Sequence, residues 1–583
     1  MLKTLAQHLG RYKKDTIIAP IYTCLEVVME ILIPFITASI IDKGIQAENM
    51  QAVLLYGGIT IILAFCGLFF GIQAGRYSAS ASTGFACNLR DGMYTNIQTF
   101  AFSNIDKYST AGLVTRMTTD ITNIQNAFQM ILRIAVKSPL MLIFSIIMCF
   151  FINIKLSLVF LAALVVLGCV LFAVMKSANP VFQEVFDRYD DLNASVQENV
   201  SGIRTVKAFV REEHEEKKYS KAADVVYKLF VKAESILAIN NPMMMFCVYG
   251  CIILISWFGA HFIVGGTMTT GNLTSLFSYV MMMMMSLMML SMVFVMITMS
   301  MASARRISQV LSEDSYMKNP EEPVYEVKDG SIDFDHVDFS YRHGTGEYVL
   351  SDIDIHIKSG ETIGIIGSTG CGKTSFVNLI SRLYDVDNGS VKVGGVDVRD
   401  YDMDSLRSSV SVVLQKNVLF SGTILDNLRW GKDDATEEEC KEACRLACAD
   451  EFIDRLPDGY NTWIEQGGSN VSGGQRQRLC IARALMQDPK ILILDDSTSA
   501  VDTATNAKIN EAFAQAIPGT TKLIVSQRIS SIENADRILV LDEGRVSGFD
   551  TPERLFETNE IYRDIYTLQT EGGGDFDENG KEA

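Results

Sequence analysis

Apolar residues dominate roughly the first 300 positions and then give way to a mixed, shorter-period pattern. Six apolar runs are long enough to cross a bilayer, at about 16–41, 52–75, 131–152, 156–175, 241–264 and 273–300. Arg133 and Lys137 interrupt the start of the third, leaving Ser138–Ile152 as its clean stretch. Basic side chains of that length can reach toward the interface, so a span is expected there too. The connections after the second and fourth runs, about 76–130 and 176–240, are long, rich in Ala, Glu, Lys and Leu, and poor in breakers. They predict helices that continue the membrane helices beyond the bilayer. From residue 329 short β-rich runs alternate with helical patterns, the signature of an α/β domain. The expected organisation is a membrane domain over 1–312, a linker with Pro320 and Pro323 over 313–328, an α/β domain over 329–570, and a Gly-rich acidic tail over 571–583 that reads as disordered.

Charge adds an orientation. Lys3, Arg11, Lys13 and Lys14 precede the first run, Arg76 and Arg90 follow the second, and eight Lys/Arg crowd 204–232. Arg305 and Arg306 follow the last run, whereas the opposite turns hold only Lys43 and Lys155. The positive-inside rule then places both termini and the α/β domain in the cytoplasm, with the spans in a cell (inner or plasma) membrane. The first run is too long for a cleavable signal. A net charge of −18 without a basic face excludes nucleic acid as a partner. The twelve cysteines show no metal-ligand spacing and read as small hydrophobes in reduced or lipid surroundings.

The α/β domain carries the chemistry. A β-rich run, Gly360–Gly367, leads into Gly367, Ser368, Thr369, Gly370, Cys371, Gly372, Lys373, Thr374 and Ser375, and a helix begins at Phe376. Strand, Gly-rich loop and helix in this order form a phosphate-binding loop, whose backbone N–H groups and helix N-terminus favour anions. Lys373 reaches the β- and γ-phosphates of such a ligand and Thr374 is placed for Mg²⁺. Further on, Ile491–Leu494 is followed by Asp495 and Asp496, Ser472, Gly473, Gly474 and Gln475 open another helix, and Gln527 follows a third β-rich run.

Together these stretches resemble the ATP-binding cassette (ABC) family, over essentially the whole chain, and specifically half of a bacterial heterodimeric exporter of the multidrug type. The resemblance implies an α-helical six-span transmembrane domain plus an α/β P-loop nucleotide-binding domain, with a helical subdomain around 425–485. It implies ATP and Mg²⁺ as cofactors, Tyr341 as the adenine-stacking aromatic, Asp495 and Gln415 at the metal, and Ser472–Gln475 as the signature that closes over ATP held by a partner cassette. Ser499–Asp502 matches the loop at the cassette dimer interface. Thr118–Gln125 and Glu198–Glu212 resemble the exporters' intracellular loops, which implies short coupling helices near 119–126 and 209–215, the second docking on the partner.

Two departures stand out. The family usually has Glu, the hydrolytic base, where this chain has Asp496, and a switch His where it has Gln527. Asp is one methylene shorter, about 1–1.5 Å, and a misplacement of that size can cost about 10²-fold. Glutamine can hydrogen-bond a phosphate but cannot carry charge as His does. The stretch Thr462–Gly468 also departs from the usual exporter pattern. With its signature intact, the chain is expected to pair with a second half-transporter that carries Glu and His.

Two features bear on what is carried. Glu26 and Glu30 lie one turn apart in the first run, just before Pro34. They serve cationic substrates, a proton-linked change, or a structural hydrogen bond at a Pro-perturbed helix. Met281, Met285, Met288 and Met292 belong to a methionine-rich last run, suited to a broad apolar pathway for hydrophobic small molecules or to plain filling. The same architecture serves lipid or peptide export, and an ATP-gated channel or regulatory subunit is the alternative of a different class.

Overall fold

The computed structural model describes residues 1–341, 347–496 and 503–570. These form two compact units: Met1–Gln98 with Thr110–Glu313, and Thr99–Ser109 with the chain from Asp314 onward. The matched loop Ser499–Asp502 and the tail 571–583 lie outside the described residues.

The first unit is helical. Six of its helical segments are long and apolar enough to cross a membrane. Lys13–Ser39, Met50–Gln98, Ile121–Ile152 and Thr270–Leu311 pack against one another, and Ile154–Ser201 packs with Glu212–Ala238 and Asn240–Val264. As the breaker-poor connections predict, the helices run past the apolar stretches: Met50–Gln98 is one helix of 49 residues. Pro34 removes the N–H that would bond the Glu30 carbonyl. Around it the last helix stitches itself to the first: Tyr279 Oη donates to Ile31 O at 2.9 Å and Ser275 Oγ to Pro34 O at 2.6 Å.

The short loop helices differ from the expected positions. One runs Phe102–Tyr108, upstream of 119–126, which instead spans a π-helical turn, Arg116–Asp120, and the start of Ile121–Ile152. Buried Asp120 ties that turn to the last helix through Arg306 Nε at 2.7 Å and Ser303 Oγ at 2.8 Å. The second runs Ile203–Ala208, ahead of 209–215, because Gly202 interrupts the preceding helix and Val210 takes a left-handed φ of 52° before Glu212 starts the next.

The second unit has a six-stranded sheet in the order Arg545–Asp550, Arg537–Asp542, Thr362–Gly367, Thr521–Val525, Ile491–Asp495, Val410–Val413. All its pairs are parallel except the first. The three central strands are almost wholly buried, as continuous apolar runs require. An antiparallel sheet built on Ile332–Phe339 and short helices between 424 and 485 complete the unit. Part of the stretch read as a linker is fixed to this unit: Val324 N donates to Asp400 O and Asp402 N to Val324 O, both at 2.9 Å.

Candidate nucleotide site

The sheet order assembles the site. Four neighbouring parallel strands end at the phosphate loop (after Gly367), Ser526–Gln527, Asp495–Asp496 and Gln415. Neighbouring strands lie about 4.8 Å apart, so residues spread over 160 positions meet along one edge.

In the phosphate loop, Gly372 has φ 98° and caps the helix Lys373–Ile380, and a Cβ there would stand 2.7 Å from Leu350 Cδ2. Gly367 approaches so closely that its Cβ would lie 2.1 Å from Leu541 O. Lys373 Nζ donates to Gly367 O and Ser368 O, both at 2.8 Å, and so lies across the loop's mouth. Thr374 Oγ1 donates to Asp495 Oδ1 at 3.2 Å. Asp495 is 2% exposed, and its Oδ2 is buried with no hydrogen-bond partner. Burial pushes this carboxyl up, and the neighbouring Asp496 charge adds to the shift, against the lowering effects of Thr374 and Lys373. An orphaned, buried carboxylate oxygen beside a hydroxyl fits a divalent cation: Thr374 and Asp495 would hold Mg²⁺, with Gln415 near.

Asp496 sits at φ 47°, a left-handed position that Asp tolerates better than longer side chains. Its N–H donates to Val525 O at 3.0 Å, and its Oδ2 accepts from Gln415 Nε2 at 3.3 Å. Gln527 is exposed beyond the neighbouring strand, its carbonyl accepting from Gln569 Nε2 at 2.8 Å. Tyr341 is held by a hydroxyl bond to Ser375 Oγ at 2.8 Å and by T-shaped contacts with Phe339 and Tyr384, at 5.0 and 5.1 Å. It stays 45% exposed, enough to offer a ring face to a base.

Ser472 caps the helix Gly473–Leu485: its Oγ accepts from Gln475 N at 3.3 Å while Gln475 Oε1 accepts from Ser472 N at 2.9 Å. Among the described residues no hydrogen bond joins this exposed turn to the phosphate loop. The chain thus brings together Gln415, Asp495, Asp496, Gln527, Tyr341 and the loop 367–375, but not Ser472–Gln475.

Sequence reasoning missed Tyr384. It packs edge-on to Tyr341 and donates to Asp106 Oδ2 of the short helix Phe102–Tyr108 at 2.8 Å. A tyrosine in an amphipathic run gives no signal of so distant a partner. It also missed the role of Lys137, which does not reach for the interface but bonds Glu26 Oε1 at 2.7 Å and Glu30 Oε1 at 2.8 Å. The available clue was that residues of opposite charge stand in separate apolar runs. Met281, Met285, Met288 and Met292 form one exposed stripe, while Met283 and Met284 turn into the core.

Comparison with known proteins agrees with this geometry. Residues 16–287 match the ABC transporter transmembrane region and 350–499 the ABC transporter domain. The ABC transporter ATP-binding protein YfiB of Bacillus subtilis is 35% identical over 552 residues, covering 95% of this chain and 96% of that protein. A Mycobacterium bovis ABC transporter ATP-binding protein, Mb1304c, is 32% identical over 98% of both chains. A bacterial Atm1-family ABC exporter with ATP bound shares the fold, with a TM-score of 0.81 at 23% identity over 96% of this chain and 99% of that one. With six membrane-type helices joined to an ATP-binding cassette, the chain belongs to the ABC transporters and has the architecture of an exporter half-transporter, an ATPase coupled to transport.

Proposed function

We propose that the chain is one half of a heterodimeric exporter that moves hydrophobic or amphipathic compounds out of the cytoplasm. Its own ATP site is slow, and it lends an intact signature to a partner's fast site. The observation that carries this is the pairing of Asp496 and Gln527 with an intact Ser472–Gln475 in one cassette. A general base must come within hydrogen-bond reach of the attacking water. Asp496 is short for that position, and its carboxylate accepts from Gln415. Gln527 offers no charge to a γ-phosphate.

The roles follow from placement. Tyr341 stacks the base, Lys373 turns from its own loop's carbonyls to the phosphates, and Thr374, Gln415 and Asp495 hold Mg²⁺. That ion, when bound, neutralises charge on the phosphates. The exposed N–H groups opened by Ser472, Gly473 and Gly474 face the partner's nucleotide, with Gln475 locking the turn. ATP held between two cassettes closes them and turns the membrane cavity outward, and hydrolysis at the partner's site resets it. Met281, Met285, Met288 and Met292 give that cavity an adaptable apolar wall, and Glu26 and Glu30 add recognition of charge. The membrane is a cell membrane with both termini cytoplasmic.

Native mass spectrometry of the complex extracted from its own membranes tests the pairing. A complex with a different half-transporter carrying Glu and His at these positions is expected. A pair of identical chains, both with Asp496 and Gln527, would sink the asymmetric reading.

A further inference from the structure

Gln527 stands on a short piece of irregular chain, so its placement depends on what holds the backbone there. It follows the central strand Thr521–Val525, and its side chain is exposed and makes no hydrogen bond among the described residues. Upstream, Ser526 N donates to Ile365 O at 3.1 Å, which ties the segment to the strand that leads into the phosphate loop. Ser526 Oγ then closes a tight turn, accepting from Arg528 N at 2.9 Å and donating to Arg528 O at 3.1 Å.

Downstream, the segment is held by a side chain 42 positions away. Gln569 Nε2 donates to Gln527 O at 2.8 Å, and Gln569 Oε1 accepts from Ile529 N at 2.9 Å. One amide thus serves a carbonyl and an N–H on either side of Arg528, as a neighbouring strand would. An ionised glutamate could not donate to the carbonyl, and lysine could not accept from the N–H. The pair also decides which end of the amide is oxygen, since the flipped amide would set oxygen against oxygen and N–H against N–H.

The helix that carries Gln569 is itself anchored. Glu560–Thr570 packs Ile561, Ile565 and Tyr566 against the core, with Tyr562 fully buried and Tyr566 edge-on to Phe556 at 5.1 Å. Tyr562 N donates to Asn559 Oδ1 at 2.9 Å, and Asn559 Nδ2 donates to Ser547 O at 3.1 Å. Gln569 stands two turns after Tyr562 on the same helix face, where that face leaves the core and meets the switch segment. Two hydrogen bonds to an exposed side chain add little to a fold, whereas a misplacement of about 1 Å near a reacting phosphate can cost about 10²-fold.

We propose that Gln569 is a positioning residue of this chain's nucleotide site. Through the Gln527 carbonyl and the Ile529 N–H it sets the switch segment so that the Gln527 amide meets the γ-phosphate. The helix Glu560–Thr570 thereby belongs to the site without touching nucleotide. This rests on the reading that gives Gln527 the γ-phosphate, and adds to it a residue outside every nucleotide motif.

The extracted complex can be loaded with azido-ATP labelled in the γ-phosphate, chased with unlabelled ATP, cross-linked by light at intervals and separated into its subunits. The label kept on this chain then reports its own site, and a parallel run with α-label separates cleavage from release. Gln569→Leu loses both bonds at similar bulk. It is expected to slow cleavage at this chain at least about threefold, with azido-ATP affinity within about twofold of the parent, because the phosphate loop and Tyr341 hold the nucleotide. Gln569→Glu keeps the acceptor for Ile529 N but sets a carboxylate against the Gln527 carbonyl, and is expected to be at least as slow. Gln527→Ala is expected to be slow as well, and adding Gln569→Leu to it should change nothing further, because no amide is left to place. A merely structural residue would add its own loss in that background. If Gln527→Ala is slow, parent-like cleavage in Gln569→Leu, or losses that multiply in the double variant, overturns the positioning role alone. Parent-like cleavage in Gln527→Ala would overturn the γ-phosphate reading and the positioning role with it.

Discussion

The phosphate loop and the signature turn both open helices in the same cassette, yet they are finished differently. The phosphate loop is knit up from within the chain: Lys373 on Gly367 and Ser368, Thr374 on Asp495, Tyr341 on Ser375. At the signature turn Ser472 and Gln475 only cap each other, and the first N–H groups of the helix lie at an exposed surface. One half is a site awaiting a ligand. On the proposed reading the other is a piece of a site whose remainder lies in a partner cassette. Of the departures from the family, Asp496 and Gln527 lie on the first half, and the stretch Thr462–Gly468 leads into the second.

Substitutions that strike one half at a time test whether the halves belong to different catalytic centres. The largest effect is expected from Gly473→Asp, which sets a carboxylate against the anion that the turn is built to receive. ATP turnover of the complex should fall about 10²-fold or more, with the melting temperature little changed. Turnover within about threefold of the parent would mean that the signature does not serve the fast site. Restoring the family pattern with Asp496→Glu and Gln527→His should raise single-turnover hydrolysis of ATP bound at this chain's own site by about tenfold or more. Because Glu is less at ease than Asp at φ 47°, the pair should cost about 1 kcal/mol of stability, read as a lower melting point. If this chain's own site is the slow one, as proposed, Lys373→Ala should lower turnover by less than about tenfold, and an equal collapse in both this variant and Gly473→Asp would erase the distinction. The smallest effect belongs to Tyr384→Phe. Losing one hydrogen bond to Asp106 should shift the KM for ATP by about threefold at most.

Legibility followed the range of the forces. The phosphate loop, Asp495 and the signature could be read because each needs a fixed local spacing: glycines where a Cβ would collide, a carboxylate at a strand end, a Ser and a Gln three residues apart that cap one helix. The spans could be read because bilayer thickness sets their length. Gly202 and the left-handed Val210 moved one loop helix, and the π-helical turn at Arg116–Asp120 took the place of the other, because helix ends depend on single backbone conformations. The bonds from Lys137 to Glu26 and Glu30 join residues more than a hundred positions apart, and no periodicity encodes them. The same holds for Tyr384 and Asp106.

The unbroken helix Met50–Gln98 has a mechanical consequence. At 1.5 Å per residue its 49 residues measure about 74 Å. A rigid rod of that length works as a lever: a tilt of about 5° about one end swings the other by about 6 Å. A shift of the size that separates two turns of a helix at one end therefore needs only a few degrees of rocking at the other, without any bond within the rod being broken.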